Sequence, residues 1–405
     1  MRVLFSAIPE AGHLNPLLPL AHALAERGHA VAFASAPAFA RRAQDAGFAA
    51  YPVGDGLDAW FAELARRVGG PPGEGLAPEE IESWFLPRLF AQVGAERTLA
   101  PLFAVVAAWR PDLLVHDPCQ FAAPLAATLA GVPHVTHGLG PLTPVDVFER
   151  AGEAAAPLWR AHRLQPPPYA GIFVHAYLAV SPRSLEGPLP AALAGRVWPL
   201  RPVGYDGSGP RPEAPTWLDA LPDRPTVYAT LGTFLNTDLA VFRAILDGLG
   251  DQDLNLIVTV GENNDPADLG PAPPNARVER YIPQSVLLDR CAAVVCHGGS
   301  GTILPALARG IPLLLLPQGA DNFTNAARCE QAGVGLTLRP GGVSADAIRA
   351  GLRRLLADAS YRDHARRVAD EIAAMPLPRQ VVDRLEQLAP GAPSSPIRDV
   401  QARRR

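Results

Sequence analysis

The sequence predicts an α/β protein with two domains, each built on a doubly wound parallel sheet. Three observations point to this fold class. Short apolar runs alternate with helical patterns from the N-terminus onward, as in β-α-β units. A segment rich in proline, glycine and charge, residues 201–215, interrupts the alternation. Beyond this segment the alternation starts again, which predicts a second domain of the same kind.

The first half opens with a strand, a turn and a helix. The apolar run over residues 3–8 is typical of a strand buried on both faces of a parallel sheet. Asn15 followed by Pro16 favours the start of a helix, and Gly28 favours its end. The next predicted elements are a strand over 31–35, a helix over 37–46 and a strand over 113–116.

The second half repeats this pattern after the proline-rich segment. Its predicted strands are 227–231, 256–260, 277–279, 293–296 and 312–316, with helices at 239–249 and 302–309. We therefore predict an N-terminal domain over 1–205, a linker over 206–222, a C-terminal domain over 223–375, a C-terminal helix over 376–389 and a disordered tail over 390–405.

Composition narrows the chemistry. The 405 residues carry 36 basic and 40 acidic side chains, a net charge of −4, which gives no reason to expect nucleic-acid or membrane binding. All the basic residues are arginine, so Schiff-base, pyridoxal-phosphate and Walker-type sites are excluded. The 44 prolines are about twice the usual share, and with the alanine and arginine content they indicate a GC-rich, actinobacterial genome.

The cysteines and apolar runs predict a cytoplasmic protein. No run of eighteen apolar residues occurs, so we expect no membrane span and no secretion signal. The cysteines lack metal-ligand spacing and are expected to be reduced thiols. They are Cys119, Cys291, Cys296 and Cys329.

The richest motif is the glycine-rich turn from Cys296 to Thr302, which follows a predicted strand and opens a helix. Glycines allow close backbone approach, and the N–H groups of a helix N-terminus attract an anion. The turn therefore suits a phosphate or diphosphate, although a glycine turn without a ligand fits equally well. Gly299, Gly301 and Asp321 also approach a dinucleotide-binding pattern, but Leu304 stands at its third glycine position.

Two further turns lie on the same edge of the predicted sheet. The turn over 230–233 offers hydroxyls and a glycine, among them Thr233. The segment 281–284 supplies an aromatic ring, a backbone edge and an amide, which suit a nucleobase and a ribose. An ordinary packed tyrosine is the alternative for Tyr281.

In the first half, His13 and Asp117 are the candidates for acid–base chemistry. His13 follows the first strand, near the helix expected to start at Asn15. The positive potential of a helix N-terminus would keep its ring neutral, as a general base requires. Asp117 ends a strand of the same sheet and can orient the ring, or else simply cap a helix. His134 and His137 are reserve candidates for the base.

The segment 297–329, HGGSGTILPALARGIPLLLLPQGADNFTNAARC, resembles the donor-binding signature of family-1 nucleotide-sugar-dependent glycosyltransferases. Gly12-His13 and the segment 281–284 extend the resemblance to both domains. Within the family it is most similar to bacterial enzymes that glycosylate antibiotics and other natural products. The resemblance implies a GT-B fold, with two Rossmann-like domains facing each other across a cleft and a C-terminal helix, here 379–388, that crosses back to the first domain.

The resemblance also implies roles for residues of the C-terminal domain. Tyr281 would stack on the base, the Ile282 backbone would bind its edge, and Gln284 would approach the ribose. Asp321 and Asn322 would contact the sugar hydroxyls; family members usually carry Gln where this chain has Asn322, so the hydroxyl pattern of the sugar is open. The diphosphate would lie against His297, Gly299, Ser300, Gly301 and Thr302, with Thr233 nearby.

The implied reaction is inverting and metal-independent. His13, held by Asp117, would take a proton from a hydroxyl of a hydrophobic acceptor such as a polyketide, and the donor would be a dTDP-activated deoxysugar. No cofactor is implied beyond this cosubstrate, and a homodimer is considered. Aromatic and histidine side chains of the first half are the acceptor-binding candidates. They are Trp60, Phe61, Trp84, Phe85, His137 and Phe148.

Three alternatives stay open at this point. A UDP-glucose-dependent enzyme that inactivates a drug or toxin would share the same motifs. A carbon-linked product would need the same donor site. A non-catalytic partner that activates another glycosyltransferase would keep the fold, but it would be expected to lose the donor-binding motif that this chain retains.

Overall fold

Two parallel sheets organise the computed structural model, which describes residues 1–187, 189, 191–205, 214–232, 236 and 238–389. The strands are β1 Arg2–Ser6, β2 Ala30–Ser35, β3 Ala49–Pro52, β4 Leu113–His116, β5 His134–His137, β6 Ala176–Ala179, β7 Val197–Pro199, β8 Thr226–Thr230, β9 Asn255–Thr259, β10 Ala276–Glu279, β11 Cys291–Cys296, β12 Leu313–Leu315 and β13 Gly335–Thr337. The predicted tail over 390–405 lies outside the described residues, as do 206–213 of the predicted linker.

Helices flank both sheets. They are α1 Ala11–Leu14, α2 Leu18–Glu26, α3 Pro37–Asp45, α4 Leu57–Val68, α5 Ile81–Phe85, α6 Ala95–Trp109, α7 Ala122–Ala130, α8 Val145–Ala161, α9 Leu239–Leu249, α10 Gln284–Leu287, α11 Ser300–Leu307, α12 Asn322–Gln331, α13 Ala345–Ala357, α14 Ala359–Ala374 and α15 Pro378–Glu386. We call the first sheet with its helices the N-terminal domain and the second sheet with its helices the C-terminal domain.

The strand order confirms the predicted fold class. The first sheet runs β3-β2-β1-β4-β5-β6-β7 and the second runs β10-β9-β8-β11-β12-β13. Every pairing given for these strands is parallel, for example Ser6 with His116 and Thr230 with Cys296. In each sheet the order reverses once, between β1 and β4 and between β8 and β11. Ligands of open α/β sheets bind at the carboxyl ends of the strands at such a switch point.

The largest difference from the expected elements lies after β1. One helix starting at Asn15 was expected, but the chain forms α1, a 3-10 turn over Asn15–Leu17, and then α2. The Glu10 side chain accepts from the Ala11 backbone N–H and so caps α1. The expectation for Asn15 was therefore wrong, because a proline at position 16 is equally compatible with a short helical turn.

A continuous helical run covers residues 78–109. It joins a 3-10 turn, α5, a π-helical segment over Leu86–Gly94, and α6. This run is long and apolar enough to span a membrane, but half of its most apolar stretch is buried inside the protein. Helices of a protein core have the same length and hydropathy. A Cβ on Gly94 would lie 2.5 Å from the Trp60 ring. The lack of a side chain at Gly94 thus lets Trp60 of α4 pack closely against this run.

The two domains are connected twice. Helix α15 returns to the N-terminal domain, where Arg27 Nη2 lies 2.8 Å from Asp383 Oδ1 and His29 Nε2 lies 2.9 Å from Glu386 Oε1. The two chain segments that pass between the domains also touch each other, because the Arg201 backbone N–H donates to the Pro376 carbonyl at 2.7 Å. The predicted domain boundaries stay predictions, although Thr216–Ala220 within the expected linker forms a 3-10 turn.

We expect the packing of α15 to contribute measurably to stability. Leu385 is fully buried in the core, so Leu385→Ala should lower the free energy of unfolding by about 2–5 kcal/mol. Asp383, on the exposed side of the same helix, is the matched control, and Asp383→Ala should cost less than about 1 kcal/mol. Denaturant unfolding of both variants checks this, and equal losses would contradict the packing described here.

Candidate active site

The switch point of the N-terminal sheet brings a histidine and an aspartate together. His13 lies in α1, just beyond β1, and Asp117 directly follows β4. Because β1 and β4 are adjacent and parallel, both side chains reach the same edge of the sheet. His13 Nδ1 lies 3.1 Å from Asp117 Oδ1, so the contact expected from the sequence is present.

Asp117 is held by its surroundings. The side chain is fully buried. Its Oδ2 accepts from the Ile8 backbone N–H at 2.7 Å, and its Oδ1 accepts from the Cys119 backbone N–H at 2.7 Å. With His13, three hydrogen bonds fix the carboxylate, and a fixed carboxylate in turn fixes the orientation and tautomer of the ring.

The charge around His13 differs from the expectation. Burial lowers the pKa of His13, but the charge and hydrogen bond of Asp117 and the charges of Glu10 and Asp321 outweigh it, so the pKa lies above its ordinary value of 6.5. The neutral ring expected beside a helix N-terminus is therefore not favoured, because these acidic neighbours raise the pKa of His13. Protonation of the ring is thus favoured by acids from both domains.

The reserve histidines are placed differently. His137 Nδ1 lies 2.6 Å from the Gly138 carbonyl, and burial lowers the pKa of His137 to about 4. His134 Nδ1 lies 3.2 Å from Nε2 of His116, and burial lowers the pKa of His134 well below its ordinary value. These rings are buried within the N-terminal sheet, so they are poor candidates for a base that meets a substrate.

The glycine-rich turn lies at the switch point of the C-terminal sheet. Strand β11 ends at Cys296 and α11 begins at Ser300, with Gly299 as its N-cap residue. Among the described residues, no side chain caps this helix start. Its first N–H groups and the positive end of its dipole are therefore directed at the turn, which suits an anion.

His297 packs between two glycines of this turn region. A Cβ on Gly232 would lie 2.5 Å from its ring, and a Cβ on Gly299 would collide with it as well. Gly232 also has a φ of +79°, which a residue with a side chain rarely adopts. Burial lowers the pKa of His297 to about 4, so its ring is neutral at physiological pH. Thr233, predicted beside it, lies outside the described residues.

The segment after β10 combines an exposed ring with buried neighbours. Tyr281 is 48% exposed, whereas Ile282 is 4% exposed. Gln284 begins α10, and its buried Oε1 has no hydrogen-bond partner in the described part of the chain. An exposed ring beside an unsatisfied amide oxygen is an arrangement that a nucleoside can complete.

Asp321 precedes α12 in a strained turn. The preceding residue, Ala320, has a φ of +51°, in the left-handed region that residues other than glycine rarely adopt. Asp321 Oδ2 accepts from Asn325 Nδ2 at 2.9 Å, and Oδ1 lies 3.3 Å from Asn322 Nδ2. Burial raises the pKa of Asp321 above its ordinary value.

Two residues that the sequence analysis did not single out connect these parts. Asn325 Nδ2 donates to the Gly298 carbonyl at 2.9 Å as well as to Asp321, which ties the turn before α12 to the glycine-rich turn. Glu82 accepts from the Thr143 hydroxyl and, across the domain boundary, from the Thr324 hydroxyl, each at 2.8 Å. Asn325 lies inside the quoted signature, but no sequence signal marks Glu82.

The acceptor-binding candidates divide into core and half-buried residues. Trp60 and Phe148 are each 1% exposed and lie in the core, as does His137, so the expectation for these three is corrected. Phe61, Trp84 and Phe85 are half-buried and form one ring cluster, with Phe85 centroids 5.6 and 4.8 Å from Phe61 and Trp84. Cys119, beside the His13 pair, packs against the same buried core as these rings, which includes Ile8 and Trp60.

One group in the described part of the chain has the spacing of metal ligands. His13, Asp117 and Cys119 place ligand atoms within 4.8 Å of one another. The donors do not fit a metal well, because burial raises the pKa of the Cys119 thiol well above its ordinary value and a metal takes the thiolate. Both Asp117 oxygens also accept backbone hydrogen bonds already.

Comparisons with known proteins identify relatives along almost the whole chain. Family models of the Erythromycin biosynthesis protein CIII-like N-terminal and C-terminal domains match residues 22–232 and 243–388. The L-demethylnoviosyl transferase of Streptomyces niveus is 35% identical over 95% of this chain and 97% of its own length. The tylactone mycaminosyltransferase of Streptomyces fradiae is 31% identical over 96% of this chain and 92% of its own length.

A solved structure supports the same assignment. The structure of the glycosyltransferase VinC in complex with dTDP is 28% identical in sequence and superimposes with a TM-score of 0.78. The match covers 96% of this chain and 99% of the VinC chain. The resemblance predicted from the 297–329 signature is thus confirmed. The chain belongs to the Erythromycin biosynthesis protein CIII-like family of natural-product glycosyltransferases, and its two facing parallel-sheet domains have the GT-B fold.

Proposed function

We propose that the protein transfers a deoxysugar from a dTDP-sugar to a hydroxyl of a hydrophobic polyketide-type acceptor, by an inverting and metal-independent mechanism. The observation that carries this proposal is the juxtaposition of a histidine–aspartate pair on one domain with an anion-binding helix start and an acidic turn on the other. His13 and Asp321 lie close enough for each to shift the pKa of the other. A donor held by the C-terminal domain would therefore present its sugar to His13.

His13 is the general base of this mechanism. Nδ1–H donates a hydrogen bond to Asp117, which leaves Nε2 free to accept the proton of the acceptor hydroxyl. As that proton moves to Nε2, the hydroxyl oxygen bonds to the anomeric carbon, and the bond from this carbon to the diphosphate oxygen breaks. A single displacement of this kind inverts the anomeric centre, and Asp117 stabilises the imidazolium that forms.

The start of α11 stabilises the leaving diphosphate. A helix N-terminus carries roughly half a positive charge, and α11 directs it at the turn over 297–299. His297, neutral because burial lowers its pKa to about 4, supplies a hydrogen bond without a fixed charge. Gly299, Ser300, Gly301 and the hydroxyl of Thr302 complete the site. The departing charge is thus met by dipoles, so a metal ion is not required.

The remaining contacts position the two substrates. Tyr281, half-exposed, stacks on the base, and the Ile282 backbone and Gln284 bind the base edge and the ribose. Asp321 and Asn322 bind the sugar hydroxyls. The cluster of Phe61, Trp84 and Phe85 offers an apolar surface for the acceptor. The name of the S. fradiae relative, a mycaminosyltransferase acting on tylactone, and the dTDP in the VinC complex support this substrate class.

The donor class is tested by a panel of sugar nucleotides. Purified protein is incubated with dTDP-sugars or UDP-glucose and with macrolide and aromatic polyketide aglycones, and the products are analysed by mass spectrometry. We expect transfer from a dTDP-deoxysugar, and His13→Ala should lower turnover by about 10²–10⁴-fold with dTDP affinity nearly unchanged. Transfer from UDP-glucose alone would favour the drug-inactivating alternative, and failure to bind either nucleotide would favour a non-catalytic partner.

The pH dependence of transfer should report His13. The base must be unprotonated, so kcat/KM should rise with pH, with a midpoint above 6.5 because acids raise the pKa of His13. Asp117→Asn removes the charge that raises the pKa of His13 most, so that burial, which lowers this pKa, dominates. The midpoint of the kcat/KM profile should therefore move to lower pH, and the maximal kcat/KM should fall. Profiles measured with the same acceptor check this. An unchanged midpoint would assign the pH dependence to another group.

The nucleoside contact should depend on the ring of Tyr281. Tyr281→Ala removes a stacking surface worth about 1–3 kcal/mol, so dTDP affinity should fall by about 5- to 150-fold. Tyr281→Phe keeps the ring and is the matched control, with affinity close to that of the parent protein. Calorimetric titration with dTDP measures both, and an equal loss in the two variants would show that the hydroxyl, not the ring, makes the contact.

A further inference from the structure

A single carboxyl group joins the two domains beside the donor-sugar turn. Glu82 belongs to α5 of the N-terminal domain. One of its oxygens accepts from Thr143, in the loop before α8 of the same domain, and the other accepts from Thr324, in the first turn of α12. Thr324 is three residues beyond Asp321, so Glu82 holds the element on which Asp321 stands.

Charged and titratable groups surround this carboxyl group on several sides. Asp321 faces it from the turn before α12 and Asp146 from α8. Glu82 in turn raises the pKa of the Cys119 thiol, which lies beside His13. Burial, and then the charge of Asp321, raise the pKa of Glu82 to about 7. Glu82 thus lies where the two halves of the active site meet.

Other contacts show that the domains are closely apposed around this carboxyl group. A Cβ on Gly140 of the N-terminal domain would collide with the hydroxyl of Ser300, at the start of α11. A Cβ on Gly187 would collide with the guanidinium of Arg328 in α12. The N-terminal domain therefore touches both α11 and α12, and Glu82 adds a hydrogen bond to the contact with α12.

We propose that Glu82 is a positioning residue for glycosyl transfer, which binds Thr324 across the cleft and so aligns the Asp321 turn, and the donor sugar on it, with His13. The proposal rests on the donor-sugar role proposed above for Asp321. Thr143 holds the Glu82 side chain in the direction of α12. The sugar, rather than the nucleotide, depends on this alignment.

The bridge has a defined dependence on protons. Separating the domains would return Glu82 to water and remove the influence of Asp321, so its pKa would fall toward the ordinary 4.5. Bringing the domains together near neutral pH therefore takes up a proton. A protonated carboxyl group still serves both threonines, since it accepts from one hydroxyl and donates to the other. Glutamine imitates this form.

The test compares four variants and one control variant by donor KM, kcat and dTDP affinity. Transfer is measured with the donor–acceptor pair found in the panel, and affinity by calorimetry with dTDP alone. Glu82→Ala and Thr324→Val should each lower kcat/KM roughly tenfold, with dTDP affinity within about twofold of the parent. The double variant should lose little more than either single one, because both remove the same bond. Glu82→Gln should retain most of the activity.

Thr143→Val is the matched control within the N-terminal domain and should lower kcat/KM less than Thr324→Val does.

The pH profile separates positioning from a structural role. Donor KM of the parent should rise as pH increases through about 7, whereas Glu82→Gln should lack this rise. If Glu82→Ala does not fold, the isosteric Thr324→Val carries the test alone.

Two results would overturn the proposal: unchanged kcat/KM in Thr324→Val, or the same pH-dependent donor KM in Glu82→Gln as in the parent. Either result, obtained while the parent binds dTDP and transfers sugar, would reject the role of Glu82 and leave the proposed function intact. Failure of the parent protein to bind dTDP would instead reject the proposed function itself.

Discussion

The hydrogen bonds that immobilise Asp117 are the constraint on which the active site depends. A buried carboxylate is tolerated only when its oxygens are satisfied, and here two backbone N–H groups and the His13 ring do this. Both backbone donors lie just beyond strand ends at the β1/β4 switch point. The sheet order therefore creates the place for the carboxylate, and the carboxylate in turn orients the histidine.

Two histidines at the cleft show how environment sets the role of one side-chain type. Acidic groups from both domains raise the pKa of His13, so this ring is ready to hold a proton. Burial between glycines lowers the pKa of His297 to about 4, so that ring stays neutral. The first suits proton transfer and the second suits hydrogen bonding to an anion, and the difference comes from neighbours contributed by separate parts of the chain.

Much of the fold followed from local pattern. The two rounds of β-α alternation and the apolar strands could be predicted because strands buried on both faces read as continuous apolar runs. Short elements such as β7, three residues long, carry too little pattern to be recognised. The segment after β1 was misread because Asn15 and Pro16 fit a helix start, whereas the helical segment already begins at Ala11 and Asn15 only starts a 3-10 turn within it.

The site divides in the same way. The glycine-rich turn and the 281–284 segment are each a continuous stretch of sequence, so their chemistry could be predicted from the sequence. Glu82 is not, because its significance depends on Thr324, 242 positions away. Trp60 and Phe148 were taken for cleft residues because an aromatic side chain looks the same in a core and in a pocket until burial is known.

The hydrogen bond from the Arg201 backbone N–H to the Pro376 carbonyl has a mechanical consequence. Both passages of the chain between the domains lie side by side at this point, so the domains share one hinge rather than two separated tethers. Motion about a single hinge is a swing, which opens the cleft most at the greatest distance from the pivot. Substrates would then enter, and products leave, at the edge of the cleft farthest from this hinge.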